Sequence, residues 1–164
     1  MKIFLVLHNI RSLHNVGSIF RTAEGLGVKK IYLTGYTPEP RDIFGKLRKD
    51  FAKTALGAEK YADWARIKNI HALIKRLKKD RTKIVALEQS KNSIPLSLLS
   101  NRIAKRDIAL ILGNEINGIP KSVLQKCDKI IEIPMHGKKE SLNVSIAAGI
   151  AIYELTNPLQ PLPN

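Results

Sequence analysis

Cysteine is nearly absent from this sequence: the 164 residues include one, Cys127. A single thiol excludes a disulfide framework and a thiolate metal site within one chain. Cys127 lies in "SVLQKCDK" with no histidine beside it, so it reads as a small packed side chain rather than a nucleophile. Long apolar runs are also missing, and none reaches the roughly 18 residues of a membrane span. The opening "MKIFLVLHNIRS" has a short apolar run but no small-residue cleavage site after it; it reads as a strand, and the protein as cytoplasmic. No basic amphipathic helix with an aromatic face is present, which argues against a membrane surface as partner.

Nucleotide and metal signatures fail as well. "GLGVKK" (25–30) lacks the third glycine of a dinucleotide fingerprint and falls where a helix ends. "GNEINGIP" (113–120) has the glycine spacing of a phosphate loop, but Ile119 and Pro120 stand where Lys and Ser or Thr would hold phosphate and magnesium. His8, His14, His71 and His136 form no i, i+4 pair and have no carboxylate at ligand spacing, so no metal is expected.

Positive charge is abundant. There are 28 Lys and Arg against 14 Asp and Glu, for a net charge of +14. That excess favours a polyanionic partner, nucleic acid before any other. Half of the basic residues, 14 of them, fall within residues 41–83, beside 5 acidic ones. The stretch "RDIFGKLRKDFAKTALGAEK" (41–60) reads as a basic helix followed by a turn, with Lys46, Arg48, Lys49 and Lys53 on one side as a footprint for phosphates.

Five short β-branched runs divide the chain: 3–8, 30–35, 83–88, 107–113 and 129–135. They are apolar on both faces, as parallel strands covered by helices are. Between them, Val16, Ile19, Phe20, Ala23 and Leu26 keep the helical period, as do Ile70, Leu73, Ile74 and Leu77. Alternating strands and helices imply an α/β fold with a mainly parallel sheet flanked by helices. The length suits one domain, residues 1–156. The tail, residues 157–164, is proline-rich and expected to fray.

Three polar clusters follow strands. In "NIRSLHNVGSIFRTAEGLG" (9–27), Asn15 sits where the N-cap of a helix starting near Val16 belongs, and Gly17 permits close approach in its first turn. Arg21 lies about 150° from the centre of the apolar stripe and points away from the core. In "LILGNEINGIP", a buried strand ends at Gly113, and Asn114 and Glu115 precede an Asn117-Gly118 turn. In "IEIPMHGKKESLNVSIAAGIAIYEL", a strand ends at Pro134 and Ser141 and Asn143 open a helix that is apolar nearly all round. Such a helix must be buried in the core or against another subunit. Taken one by one, these residues also suit caps, surface charges and exposed loops. Polar residues at the carboxyl ends of parallel strands are where α/β folds bind ligands.

Together the clusters resemble the SpoU, or TrmH-like, group of the SPOUT RNA methyltransferases. "NIRSLHNVGSIFR" is similar to its first motif, N-x-x-R-x-x-x-N-x-G-x-x-x-R-like. "LILGNEINGIP" is similar to its apolar strand running into G-x-E, and "IPMHGKKESLNVSIA" to its I-P-M followed by S-L-N-V-S. The resemblance implies a SPOUT-type sheet with a deep trefoil knot near the C-terminus, which general rules against knots would not suggest. It implies S-adenosylmethionine as methyl donor and a homodimer formed through the last helix. It implies methyl transfer to a ribose 2′-oxygen of RNA, with transfer RNA expected first and ribosomal RNA second. Arg21, Asn15, Glu115, Asn143 and Ser141 match the catalytic positions. Leu87, Gly113, Ile133, Met135, Ser141 and Leu142 match the cofactor positions. Glu115 is expected to orient Arg21 or to bind the nucleotide, and Asn143 to position the ribose. No separate N-terminal RNA-binding domain like that of larger relatives is expected, so Arg11, Arg41, Lys46, Arg48, Lys49 and Lys53 are the expected RNA contacts. Alternatives left open are a base atom as acceptor, or an RNA-binding protein of this fold without catalysis.

Overall fold

Apolar runs flanked by polar turns form the strands, and their two apolar faces explain the layers. In the computed structural model, which describes residues 1–100 and 106–157, seven strands make one sheet. They are β1 (Ile3–His8), β2 (Lys30–Thr34), β3 (Trp64–Ile67), β4 (Lys83–Leu87), β5 (Ile94–Pro95), β6 (Ile108–Leu112) and β7 (Lys129–Glu132). The order is β3-β2-β1-β6-β4-β7-β5, and every neighbouring pair is parallel.

Six α-helices are found among the described residues: α1 (Leu13–Gly25), α2 (Lys49–Ala55), α3 (Ile70–Lys79), α4 (Leu96–Ser100), α5 (Lys121–Leu124) and α6 (Val144–Thr156). Alternate strand residues Leu5, Leu7, Ile31, Val85 and Leu110 pack with α1, α2 and α6 on one face. Val6, Ile84, Ala86, Ala109 and Ile111 pack with α3 and α5 on the other. The sheet is therefore covered on both sides, which is why its central strands show no polar alternation. Cys127 is half-buried after α5, its Sγ donating to the Val123 carbonyl at 3.4 Å, and burial pushes the thiol up to about 11.

Two strands are missing from the sequence reading. β3 is half-buried along its length and β5 has two residues, one of them proline. Both lie at sheet edges, where a strand needs neither two apolar faces nor a full set of ladder donors. The expected strands at 83–88, 107–113 and 129–135 stop at Leu87, Leu112 and Glu132. The residues trimmed from their ends belong to the loops that form the site. The expected tail lies outside the described residues, apart from Asn157.

The expected basic helix over 41–60 is corrected. Residues 41–48 form a hairpin closed by an antiparallel bridge between Arg41 and Leu47. The Asp42 carboxylate accepts from the N–H groups of Phe44 and Lys46, each at 2.9 Å. That side-chain turn competes with helix formation. Helix α2 then runs only from Lys49 to Ala55, so Lys49 and Lys53 are helical while Arg41, Lys46 and Arg48 are not.

Helix α1 crosses α2 at Gly17. A Cβ there would stand 2.3 Å from Thr54 Oγ1 and 2.6 Å from the Phe51 carbonyl oxygen. Thr54 Oγ1 also donates to the His14 carbonyl at 3.0 Å, and Phe20 meets Phe51 edge-on at 5.2 Å. The close approach at Gly17 thus serves helix packing. Replacing Gly17 with Ala is expected to destabilise the fold by about 1–3 kcal/mol through overpacking, read as a lower midpoint of urea unfolding.

Candidate active site

The carboxyl ends of β6, β4 and β7 are neighbours in the sheet, so the loops that follow them meet. They enclose a cavity of about 260 Å³. Leu87, Gly113, Ile133, Met135, Ser141 and Leu142, the six positions matched to cofactor contacts, all line it. So do Asn114, from the second polar cluster, and Glu88, Gln89 and Glu132, which were not among the matched positions.

Glu88 and Gln89 tie the three loops together. Glu88 accepts from Ile119 N–H at 2.8 Å through Oε2 and from Gln89 N–H at 3.0 Å through Oε1. The Gln89 side-chain amide donates to the Glu140 carbonyl at 2.6 Å. Gly118 has φ +63°, and a Cβ there would fall 2.2 Å from Glu88 Oε2. Only glycine fits both the turn and the carboxylate that leans on it. The signal for Glu88 was a carboxylate following an apolar strand directly. Its partners 30 residues away were invisible locally.

At the rim, side chains from all three polar clusters join. The Glu115 carboxylate accepts from Arg11 N–H (3.1 Å), Ser12 N–H (3.2 Å) and the Asn15 amide (3.1 Å). Asn15 Oδ1 accepts from the Asn143 amide at 3.2 Å. Asn143 is in turn the N-cap of α6, its Oδ1 accepting from Ser145 N–H at 2.8 Å. Beside Glu115, Asn114 donates to the Asn9 carbonyl at 3.0 Å and to Tyr36 Oη at 2.9 Å, while its Oδ1 accepts from Ile116 and Asn117 N–H.

Three local expectations are corrected here. Asn15 is not the N-cap of α1. Ser12 is, and its Oγ accepts from Asn15 N–H at 3.2 Å. The cap three residues earlier leaves the Asn15 side chain free to join Glu115 to Asn143. Nor does Glu115 orient Arg21: its partners are Arg11, Ser12, Asn15 and, at 3.5 Å, the Asn114 amide. Ser141 opens no helix, because the cap is Asn143; Ser141 lies exposed on the cavity wall.

Among the described residues, the cavity is lined by three carboxylates, Glu88, Glu115 and Glu132, and by no lysine or arginine. In a chain of net charge +14 that is a marked local reversal. Burial works against ionisation of Glu115, yet the donated hydrogen bonds, Arg11 N–H foremost, outweigh it and hold its pKa below the usual carboxylate value. Behind the rim, His8 bonds Thr34 Oγ1 at 2.9 Å. Burial, and then the charge of His71, lower its pKa and favour the neutral ring.

Arg21 is not brought to this cavity. It is exposed on α1, six residues beyond Asn15, and makes no hydrogen bond or ion pair among the described residues. The expected RNA contacts also lie outside the cavity. Arg11, Arg41, Lys46, Lys49 and Lys53 are exposed and Arg48 is half-buried. Lys53 pairs with Asp50 at 3.2 Å.

Replacing Glu115 with Ala removes the acceptor for three donors. Faster amide exchange at Arg11 and Ser12 is expected, with sheet amides unaffected. In the unaltered chain, acid should lower the protection of these two amides relative to their intrinsic exchange rate at each pH. The folded carboxylate titrates below the unfolded value of about 4.3, so the link is complete above that value and is lost as pH falls through the lower, folded pKa. Protection at these two amides that ignores both changes would contradict the assignment.

Residues 2–153 match the SpoU rRNA Methylase family. The 23S rRNA (guanosine-2′-O-)-methyltransferase RlmB of Blochmanniella floridana is 34% identical over 152 residues, covering 93% of this chain and 56% of that protein. The TrmH/SpoU tRNA modifying enzyme of A. aeolicus superposes with a TM-score of 0.80 at 28% identity, covering 95% of this chain and 74% of that one. The rRNA methyltransferase of Sinorhizobium meliloti gives a TM-score of 0.83 at 25% identity, covering 98% and 57%. The chain spans 56% to 60% of the length of the curated relatives it matches. With the motif loops gathered at one cavity and the match running over nearly all of its length, the chain belongs to the SpoU rRNA Methylase family.

Proposed function

We propose that this chain is a cytoplasmic, S-adenosylmethionine-dependent methyltransferase acting on a ribose 2′-oxygen of RNA. One observation carries the reading: three strand-end loops enclose a cavity walled by apolar side chains and carboxylates without a cation, and the Asn15–Glu115–Asn143 chain stands at its rim. The lining fits the donor. Leu87, Leu112, Ile133 and Leu142 offer apolar surface for an adenine ring, and the carboxylates suit a ligand bearing ammonium and sulfonium charge. A dinucleotide with its phosphates would meet like charge there.

S-adenosylmethionine supplies an activated methyl group when bound. The chain's residues must then align the acceptor and stabilise charge developing on its oxygen. Asn15 and Asn143 present amides at the rim. Glu115 is held ionised by the hydrogen bonds it accepts and is a weak proton acceptor, so its part is to position Asn15. Arg21 keeps its proton; its part is to grip an RNA phosphate and stabilise the developing alkoxide.

The homodimer belongs to this proposal. On α6, Ala148, Ala151 and Ile152 are buried, and a Cβ added at Gly149 would meet Thr22 of α1 at 3.7 Å. Ile146, Ile150 and Tyr153, spaced as one stripe, are exposed. An apolar stripe left open on a helix suits a second subunit. The trefoil knot belongs to the same reading.

Relatives named for both tRNA and rRNA set no order between the two substrates. Labelled S-adenosylmethionine supplied with total tRNA, and separately with ribosomal RNA, is expected to yield a 2′-O-methylnucleoside from one pool after digestion. Arg21→Ala is expected to lower methylation at least about 100-fold while RNA binding weakens little. Label in a methylated base would overturn the ribose assignment, and equal losses in both activities would overturn the role of Arg21.

A further inference from the structure

The hairpin 41–48 holds two large apolar side chains in water. Ile43 is 90% exposed and Phe44 87%. Burying such groups is favourable, yet this loop is built to display them. Asp42 N–H donates to the Lys46 carbonyl at 2.9 Å, Gly45 N–H to the Asp42 carbonyl at 3.0 Å, and Arg48 N–H to the Pro40 carbonyl at 2.9 Å. The Arg41 guanidinium donates to the Gly45 carbonyl at 2.8 Å. Leu47 packs on the main core, Pro40 is buried, and the Asp42 side chain closes the turn around the tip.

Charge around the tip is one-sided. Arg41, Lys46, Arg48 and Lys49 flank it. Three acids lie nearby: Asp42 is engaged by backbone N–H groups and Asp50 by Lys53, which leaves Glu39 against the four cations. A second copy of a chain with net charge +14 would bring cations against these cations. The exposed stripe of α6, which carries no lysine or arginine, has no such conflict. A polyanion with flat apolar faces matches the tip, and RNA with splayed bases is one. In duplex RNA those faces are already stacked.

Resting on the RNA reading above, we infer that the hairpin 41–48 is a stacking element: Phe44, backed by Ile43, packs on an unpaired base of the RNA while the flanking cations hold the phosphates on either side.

The test uses the full chain and a 12-nucleotide single-stranded RNA with 2-aminopurine at its centre, beside a duplex of the same sequence. Tighter binding of the single strand is expected, with a change in 2-aminopurine fluorescence. Phe44→Ala should weaken single-strand binding about ten- to a hundredfold and abolish the fluorescence change. Its duplex affinity, salt dependence and thermal midpoint should stay as they were, because the ring is exposed and the cations remain. Phe44→Trp should restore both signals. Unchanged single-strand affinity in Phe44→Ala overturns the stacking role alone. A shift in sedimentation toward a smaller species overturns it by assigning the tip to a contact between copies. An unaltered chain that binds neither RNA overturns the RNA reading together with this one.

Discussion

The Glu115 carboxylate accepts from two successive backbone N–H groups and a side-chain amide that lie 100 to 104 residues earlier. Arg11 and Ser12 sit between β1 and α1, where no strand or helix supplies a partner for their N–H groups. The carboxylate supplies one, and so sets where α1 begins. Ser12 is then placed to cap the helix, and Asn15 is left free to reach Asn143. Without that link the first polar cluster would be an exposed turn. With it, residues from the loop after β1, the loop after β6 and the start of α6 share one hydrogen-bonded chain.

Charge is partitioned on the same plan. Among the described residues, the cavity wall has three carboxylates and no lysine or arginine, whereas residues 41–83 hold half of all lysines and arginines. A strongly basic exterior attracts a polyanion over distances of about a Debye length. Under the proposed function, the basic surface would serve the RNA and the acidic cavity the cationic methyl donor, so that neither partner would be drawn to the other's site.

Much of this was legible in the sequence, for reasons that differ by element. The central strands were visible because both of their faces are buried, which forces continuous apolar runs. Helices α1 and α3 were visible because one face is buried and the 3.6 period survives. The edge strands β3 and β5 have no such constraint and left no pattern. The 41–60 segment misled because its cations suggested an exposed helix face, while a single aspartate, Asp42, redirects the backbone into a hairpin. Asn15 and Ser12 are both competent caps, and only the distant Glu115 decides between them. The cavity positions followed from motif resemblance, but Glu88 did not, since its partners Ile119 and Gly118 lie in another loop.

The most direct test of this account is titration calorimetry of the chain with S-adenosylmethionine, with NAD as the comparison ligand. Saturable binding of S-adenosylmethionine at one molecule per chain, with no heat from NAD, is the predicted result. Binding of NAD in its place, or no binding of S-adenosylmethionine at any accessible concentration, would contradict the assignment of the cavity.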